Sequence, residues 1–134
     1  MVINTSLTKA EVAIISFFIA NIQKEFGIRE ISRNTNTDYK NTYLTVQKLV
    51  KKGALLKRRQ ANVDLCSLSL KGDFGEICFV EAMKARSFME KHRKIKEYLN
   101  EAMEKTSHMH YILVVFGSFA KEKETKSSDL DILV

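Results

Sequence analysis

Apolar residues recur at helical spacing from residue 8 onwards and predict a helix near the start of the chain. Thr8 and Glu11 have the spacing of a capping box, so this helix is expected to begin at about Lys9. Gly27 is expected to end it. Its predicted buried stripe consists of Val12, Ile15, Phe18, Ile19 and Ile22.

Two further helices are predicted before residue 53. A short one covers residues 28–34 and buries Ile28 and Ile31. The polar run at 34–38 is typical of a turn that leads into a helix cap, so the third helix is expected from about Asp38 to Lys52. The face predicted for this third helix contains Tyr39, Tyr43, Val46 and Val50, of which Tyr43 and Val46 are expected in the core.

The pattern then changes to short extended runs. Residues 55–59 and 63–70 flank a polar tip at 60–62, which predicts a β-hairpin. Helical spacing returns over 74–88 and 90–105. Apolar runs near the C-terminus predict two strands, at 111–116 and 129–134.

Charge is distributed unevenly between the two halves of the chain. Residues 1–66 contain 11 Lys and Arg against 5 Asp and Glu, whereas residues 67–134 contain 11 of each. The formal net charge of +6 therefore lies entirely in the first half. This distribution favours a nucleic-acid-binding module joined to a neutral one, and a solvated basic surface is the alternative.

The 134 residues suffice for one compact domain or two very small ones, and an apolar fraction of 45% predicts a packed core. Cys66 and Cys78 are far from CxxC spacing and are expected to be reduced core residues. No segment reaches the roughly 18 apolar residues of a membrane span, and the N-terminus lacks the pattern of a signal peptide. A cytoplasmic protein without a membrane partner is expected.

The order helix, helix, helix, hairpin over residues 7–72 resembles a winged helix-turn-helix domain, as found in many transcription regulators. The segment 66–72 also resembles the Leu-[Ser/Thr]-x-x-Gly end of such wings. The resemblance implies binding to double-stranded DNA. The alternatives are a plain solvated helix face and a charge-blunted edge hairpin. The predicted DNA contacts are Tyr39, Lys40, Asn41, Thr42, Thr45 and Lys48 on the third helix and Lys57, Arg58 and Arg59 on the wing.

The C-terminal residues carry a pattern suited to phosphate and metal chemistry. Gly117 permits a sharp turn after a strand, and Ser118 offers a hydroxyl and an amide at the next helix start. Asp129 and Asp131 are two residues apart on a strand, so both carboxylates are expected on one side, about 6.5–7 Å apart. Oxygen ligands of this kind suit Mg²⁺ shared with substrate phosphates.

The spacing Gly117-Ser118, ten residues, Asp129-Leu130-Asp131 resembles the signature of the nucleotidyltransferase superfamily with the polymerase-β-like fold. Ser128 also fits that pattern. The resemblance implies that Gly117 and Ser118 contact a nucleoside triphosphate, with ATP the expected one, and that Asp129 and Asp131 bind Mg²⁺ as catalytic carboxylates. It further implies transfer of a nucleotidyl group to a hydroxyl.

Two departures from the family pattern leave enzymatic activity open. Glu122 stands where the family commonly has glycine, so its carboxylate is expected to repel phosphate. A third carboxylate from a later strand, which a two-metal site needs, does not follow Asp131 in this chain. We therefore expect a fragment of a longer protein, with a pseudo-enzyme or a site completed in trans as alternatives.

The sequence thus predicts an α+β protein with three parts. These are a winged helix at 1–72, a helical connector at 73–89 and a partial nucleotidyltransferase unit with two strands at 90–134. The expected function is that of a DNA-binding transcriptional regulator carrying a nucleotidyltransferase-like domain. The alternative is a winged helix used for protein contact or homodimer formation, with a non-catalytic nucleotide-binding remnant.

Overall fold

The computed structural model describes residues 6–71, 74–105 and 112–133. Helices and short antiparallel strands give an α+β architecture, as the sequence predicts. In chain order the elements are α1 Lys9–Ile19, β1 Phe26–Gly27, α2 Ile28–Thr35, α3 Tyr39–Lys51, β2 Leu55–Gln60, β3 Val63–Leu68, α4 Gly75–Lys91, α5 Arg93–Glu104, β4 Val114–Phe116, α6 Gly117–Ala120 and β5 Asp131–Leu133.

The predicted capping box starts α1. The Thr8 hydroxyl accepts a hydrogen bond from the Glu11 amide, and the Glu11 carboxylate accepts one from the Thr8 amide. The helix ends at Ile19, earlier than predicted, so Gly27 does not end it. Ile22 was predicted to be buried, but it follows the helix and is 46% exposed. The fully buried positions of α1 are Glu11, Ile14, Ile15 and Phe18.

The connection between α2 and α3 is a tight turn. Asn36 ends α2 in the left-handed conformation, with φ of 50°. Asp38 then caps α3, since its side chain accepts a hydrogen bond of 2.9 Å from the Asn41 amide. These local signals place α2 and α3 within one or two residues of their predicted bounds.

Strands β1, β3 and β2 form an antiparallel sheet in that order. The predicted hairpin is present, and residues 61 and 62 connect β2 to β3. Leu55 pairs with Leu68, and Lys57 pairs with Cys66. Since directly opposed residues share a face, Lys57 and Arg59 lie on the same face as buried Cys66, and Arg58 lies on the other.

One apolar cluster joins α1, α2, α3, the sheet and α4. Its buried members are Ile14, Ile15, Phe18, Ile28, Ile31, Val46, Leu49, Ala54, Leu55, Cys66, Leu68 and Val80. Burial raises the pKa of the Cys66 thiol to about 11, so this side chain is neutral near pH 7. Cys78 was also expected in the core, but it is exposed on α4.

The chain divides into a first compact unit that ends at His92 and a second that begins at Arg93. Helix α4 belongs to the first unit, because Val80 is fully buried in its core and Ile77 packs against it. Part of the segment predicted as a connector is therefore a structural helix of the first unit. Residue 72, at the predicted end of the winged helix, is outside the described residues.

Among the helices that the structure describes, none has the length and apolar character needed to span a bilayer.

A buried carboxylate connects α1 to α3. The Glu11 side chain is 1% exposed, and its Oε1 lies 3.0 Å from Lys52 Nζ and 3.3 Å from Lys48 Nζ. Burial opposes ionisation of this group. The hydrogen bonds from the Thr8 amide, Lys52, the Thr8 hydroxyl and Lys48 outweigh that effect and lower the pKa of Glu11 to about 2. Glu11 therefore caps one helix and holds the end of another.

We expect Glu11→Gln to lower the free energy of unfolding by about 1–3 kcal/mol near pH 7, because the amide can still cap α1 but cannot pair with the lysines. The pKa of Glu11 is lower in the folded chain than its ordinary value of 4.5. Its contribution is thus present above pH 4.5 and lost as the pH falls toward 2. Urea unfolding of both proteins over this pH range measures the difference.

Glu30→Gln is the matched control. Glu30 occupies the same capping position in α2, where Oε2 accepts a hydrogen bond of 3.1 Å from the Gly27 amide. It is exposed and has no ion pair within the described part of the chain. This change should cost less than about 0.5 kcal/mol. An equal loss of unfolding free energy in the two variants would contradict the role of the lysines.

Candidate nucleic-acid interface and candidate nucleotide site

Helix α3 presents a basic outward face. Its sequence contains Lys40, Lys48 and Lys51 and no acidic residue. All three lysines are exposed, and Lys40 and Lys51 have no ion pair among the described residues. Lys48 contacts Glu11 while its side chain remains 55% exposed. The basic face is therefore available to an anionic partner.

Two predicted contact residues of α3 are inside the protein. Thr42 is fully buried, and its hydroxyl donates a hydrogen bond of 2.8 Å to the Asp38 carbonyl. Thr45 is 8% exposed. Tyr43 was predicted to be in the core, yet it is 40% exposed. The inward face of α3 consists of residues 42, 45, 46 and 49, so the predicted stripe was rotated from the true one.

Tyr39, Lys40 and Asn41 lie in the first turn of α3 and are exposed. The Asn41 backbone amide is used by the Asp38 cap. Its side-chain oxygen is 3.5 Å from the Thr45 hydroxyl, which is a long contact. These three side chains and Lys48 remain predicted DNA contacts.

The three cations of the wing differ in their partners. Lys57 Nζ lies 3.5 Å from Asp64 Oδ2 across the hairpin. Arg58 donates to both carboxylate oxygens of Glu25, with a distance of 2.6 Å from Nε to Oε1. The hydrogen bond from Arg58 lowers the pKa of Glu25. The Arg59 side chain has no ion pair or hydrogen bond with any residue that the structure describes.

A groove of about 500 Å³ separates the wing tip from the starts of α2 and α3. Its cationic side chains are Arg29 and Arg59. Both of its acidic residues are engaged, since Glu30 caps α2 and Asp64 contacts Lys57. The lining residues are Gly27, Ile28, Arg29, Glu30, Tyr39, Tyr43, Arg59, Asn62, Val63 and Asp64.

Two arginines of α2 were missed by the sequence prediction. Arg29 and Arg33 border a second cavity, of about 450 Å³, together with Ser32 and Tyr39. Neither arginine has an ion pair among the described residues. The sequence could have indicated these arginines, because burial of Ile28 and Ile31 leaves positions 29 and 33 on the outer side of a short helix.

In the second unit, β4 and β5 form an antiparallel pair that brings the Gly-Ser turn beside Asp131. Phe116 pairs with Asp131, and Val115 pairs with Ile132. Asp129 precedes β5, whereas Asp131 is its first residue, and both are exposed. Strands were predicted here, although residues 111 and 134 are outside the described residues.

Gly117 approaches the Asp131 carboxylate closely. Its φ is +76°, a conformation that other residues rarely adopt. A Cβ built on Gly117 would clash with Asp131 Oδ2 and would lie 3.0 Å from Asp131 Cγ. Only glycine at this position lets the carboxylate lie against the turn.

Ser118 is the second residue of the short helix α6 and is partly buried. Its carbonyl accepts a hydrogen bond of 2.9 Å from the Lys123 amide, which closes the turn after α6. Glu122 lies in this turn with φ of 53°, in the left-handed region that favours glycine. The backbone therefore retains the glycine-like conformation, although a carboxylate occupies the position.

No group of three or more His, Cys, Asp or Glu side chains within the described ranges could hold a metal ion. Asp129 and Asp131 supply two carboxylates, the oxygen donors that Mg²⁺ prefers. The donor chemistry thus fits a metal that completes its coordination with water and phosphate oxygens.

Comparison of the fold with solved structures places the first unit. A mutant of MepR from S. aureus superimposes with a TM-score of 0.54 and 14% identity, over 73% of each chain. MepR itself, a transcription regulator of the Staphylococcus aureus multidrug efflux pump MepA, gives 0.51 and 12%, over 74% of this chain and 79% of that one. The first unit is a winged helix.

A structure of BpsR from Bordetella bronchiseptica, reported for regulation of its DNA binding by 6-hydroxynicotinic acid, gives a TM-score of 0.52. The identity is 16%, over 77% of this chain and 78% of that one. At identities this low, the superpositions establish the winged-helix fold and do not indicate a ligand. No curated protein matches the chain by sequence.

A separate comparison concerns the second unit. Residues 92–134 match the family model of the nucleotidyltransferase domain. The match includes the Gly-Ser turn and both aspartates, and it covers less than half of the chain.

We expect Gly117→Ala to displace Asp131, because the added methyl group and the carboxylate would occupy the same space. Amide resonances of residues 116, 131 and 132 in two-dimensional NMR spectra should shift. Gly53→Ala is the matched control, since Gly53 has φ of +80° with nothing within 4 Å of a built Cβ. It should incur only backbone strain of about 1 kcal/mol and leave those resonances in place. Unchanged resonances in Gly117→Ala would contradict the close approach.

Proposed function

We propose that the winged helix binds double-stranded DNA and that the chain acts as a transcriptional regulator. The observation that carries this proposal is the outward face of α3, whose helix has three exposed lysines and no acidic residue of its own. The groove beside it contains Arg29 and Arg59, neither of which has an ion pair with a residue that the structure describes. The excess charge of residues 1–66 supports it. The similar structures of transcription regulators agree with it at the level of fold.

The outward face of α3 and the arginines of α2 and the wing would have different roles. Helix α3 would enter the major groove, where its exposed side chains reach base edges and flanking phosphates. Arg29, Arg33 and Arg59 would contact the phosphate backbone from α2 and the wing. Lys57 and Arg58 would contribute less, because each must leave a carboxylate to reach a phosphate.

We expect Arg59→Ala to weaken binding to a random-sequence 20-base-pair duplex by about threefold to tenfold at low salt. The slope of log affinity against log salt concentration should fall by about 1, as one phosphate contact is lost. The measurement is fluorescence anisotropy across a salt series.

Arg58→Ala is the matched control, since it removes a neighbouring arginine that is already paired with Glu25. Arg58→Ala should change the slope of log affinity against log salt concentration by less than half of the change expected for Arg59→Ala. A larger loss from Arg58→Ala would reverse the assigned roles. Absence of any binding at low salt would support the alternative, in which the winged helix mediates protein contact or homodimer formation.

That alternative has one observation in its favour. Helix α4 and its N-cap expose Phe74 and Met83, which are 43% and 44% exposed, and Cys78 lies on the same helix. Association of two copies could remove such apolar surface from water, which favours contact between protein chains. Homodimer formation and DNA binding are compatible, because a two-fold dimer reads two half-sites.

For the second unit we propose binding of a nucleoside triphosphate, ATP in the first instance, together with Mg²⁺. Gly117 and Ser118 would contact the triphosphate, and Asp129 and Asp131 would hold the metal. The family match over residues 92–134 and the contact between Gly117 and Asp131 support this proposal. In a complete site the bound Mg²⁺ would neutralise phosphate charge while an acceptor hydroxyl attacks the α-phosphorus and pyrophosphate leaves.

The position of Glu122 limits the affinity expected. Its carboxylate lies in the turn that follows α6, and it would face the negative charge of a triphosphate. We therefore propose weak nucleotide binding that depends strongly on Mg²⁺.

We expect ATP with Mg²⁺ to bind in isothermal titration, and Asp129→Asn and Asp131→Asn each to weaken binding at least about tenfold. Each change removes one anionic metal ligand while preserving side-chain shape. Glu101→Gln, an exposed change on α5, controls for net charge. Binding that is equally strong in the three variants would show that the aspartates do not hold the metal.

A further inference from the structure

An apolar side chain lies at the centre of the basic face of α3. Leu44 is 57% exposed, the largest value for a bulky apolar side chain among the described residues of the first unit. No sequence prediction assigned it a role. Helix α3 also exposes Tyr39 and Tyr43, so a role for Leu44 has to be argued from its position among the lysines and not from its exposure alone.

The geometry of α3 directs Leu44 away from the core. The inward residues Thr42, Val46 and Leu49 lie about 140–160° around the helix from it, at 100° per residue. Lys40 and Lys48, one turn before and after, lie about 40° to either side, and Lys51 lies about 20° away. Leu44 is thus the middle of the exposed strip, with cations around it.

The charge around Leu44 selects among the possible occupants of this face. Protein interfaces have cores depleted of lysine, whereas here three lysines surround the apolar centre. Lys48 pairs with the buried Glu11 but stays 55% exposed, and Lys40 and Lys51 have no ion pair among the described residues. A DNA major groove offers the complementary arrangement, with phosphates along both rims and base edges on the floor. Leu44, at the centre of the face, would then lie against the base edges on the floor of the groove.

We propose that Leu44 is a specificity-determining residue that packs against the 5-methyl group of a thymine in the major groove. This inference rests on the proposed DNA-binding function. Thymine alone among the four bases presents a methyl group in that groove, and leucine can make no hydrogen bond with the polar edges of the others. The preferred DNA site therefore contains thymine at the base pair that faces the middle of α3.

The experiment begins with the full chain and a pool of random-sequence duplexes, from which the tightest binders are selected. Each thymine of one selected duplex is then replaced singly by deoxyuridine, which removes the methyl group and keeps the base pair. Affinities are measured by fluorescence anisotropy for the wild type, Leu44→Ala and Leu44→Met. Thermal unfolding of each variant checks that the exposed substitution leaves the fold intact.

For the wild type, one deoxyuridine position should weaken binding roughly fourfold, the effect of one methyl group removed from an apolar contact. Leu44→Ala should bind the original duplex about as weakly and should not respond to that deoxyuridine. Leu44→Met should retain most of the discrimination, since it keeps an apolar side chain of similar reach. The salt slope should be the same for all three proteins, because no phosphate contact changes.

Other outcomes overturn the inference. If Leu44→Ala and the wild type lose affinity equally on every deoxyuridine substitution, Leu44 does not contact the methyl group. If Leu44→Ala alters sedimentation of the protein but not DNA affinity, the residue docks a protein chain. Salt-dependent binding without any sequence preference would refute base readout by Leu44 and leave the proposed DNA binding intact. A lack of binding to all duplexes would refute both.

Discussion

The proposed DNA-binding surface depends on the contacts of the buried Glu11 carboxylate. This group caps α1 through the Thr8 amide and binds Lys48 and Lys52 at the end of α3. A charge removed from water must be paired and hydrogen-bonded, so this carboxylate joins α1 to the end of α3 through Lys48 and Lys52. The rotation of α3 then decides which of its side chains face outward. Leu44 and Lys40 do, whereas Thr42 does not.

Pairing between distant charges also determines which cations are available to a ligand. Glu25 and Asp64 form ion pairs with two of the three basic side chains of the wing, and Glu30 caps α2. Arg59 remains, and it faces a groove that also contains Arg29. A count of basic residues along the chain overstates the free positive charge, because carboxylates distant in sequence neutralise part of it. The surface of a winged helix has to be judged from these pairs.

In the second unit one backbone conformation brings the Gly117 turn and the Asp131 carboxylate together. The positive φ of Gly117 removes the steric barrier between the turn after β4 and the first residue of β5, so the Asp131 carboxylate lies against it. The left-handed conformation at Glu122 shows that the following turn also has the geometry of a glycine position. Both turns thus have a backbone conformation that favours glycine, and a carboxylate stands at the second of them.

Caps, turns and apolar periodicity act over a few residues, so the sequence alone predicts most of the elements and their order, although not β1. Thr8, Asp38 and the 60–62 tip locate their helices and hairpin almost correctly. The exposed face of α3, the end of α1 and the cations left without an ion pair among the described residues follow from the three-dimensional packing of the chain. Those properties depend on contacts such as Glu25 with Arg58 or Glu11 with Lys52, 33 and 41 residues apart. Local patterns do not encode which distant partners meet, and helix rotation follows from packing rather than from propensity.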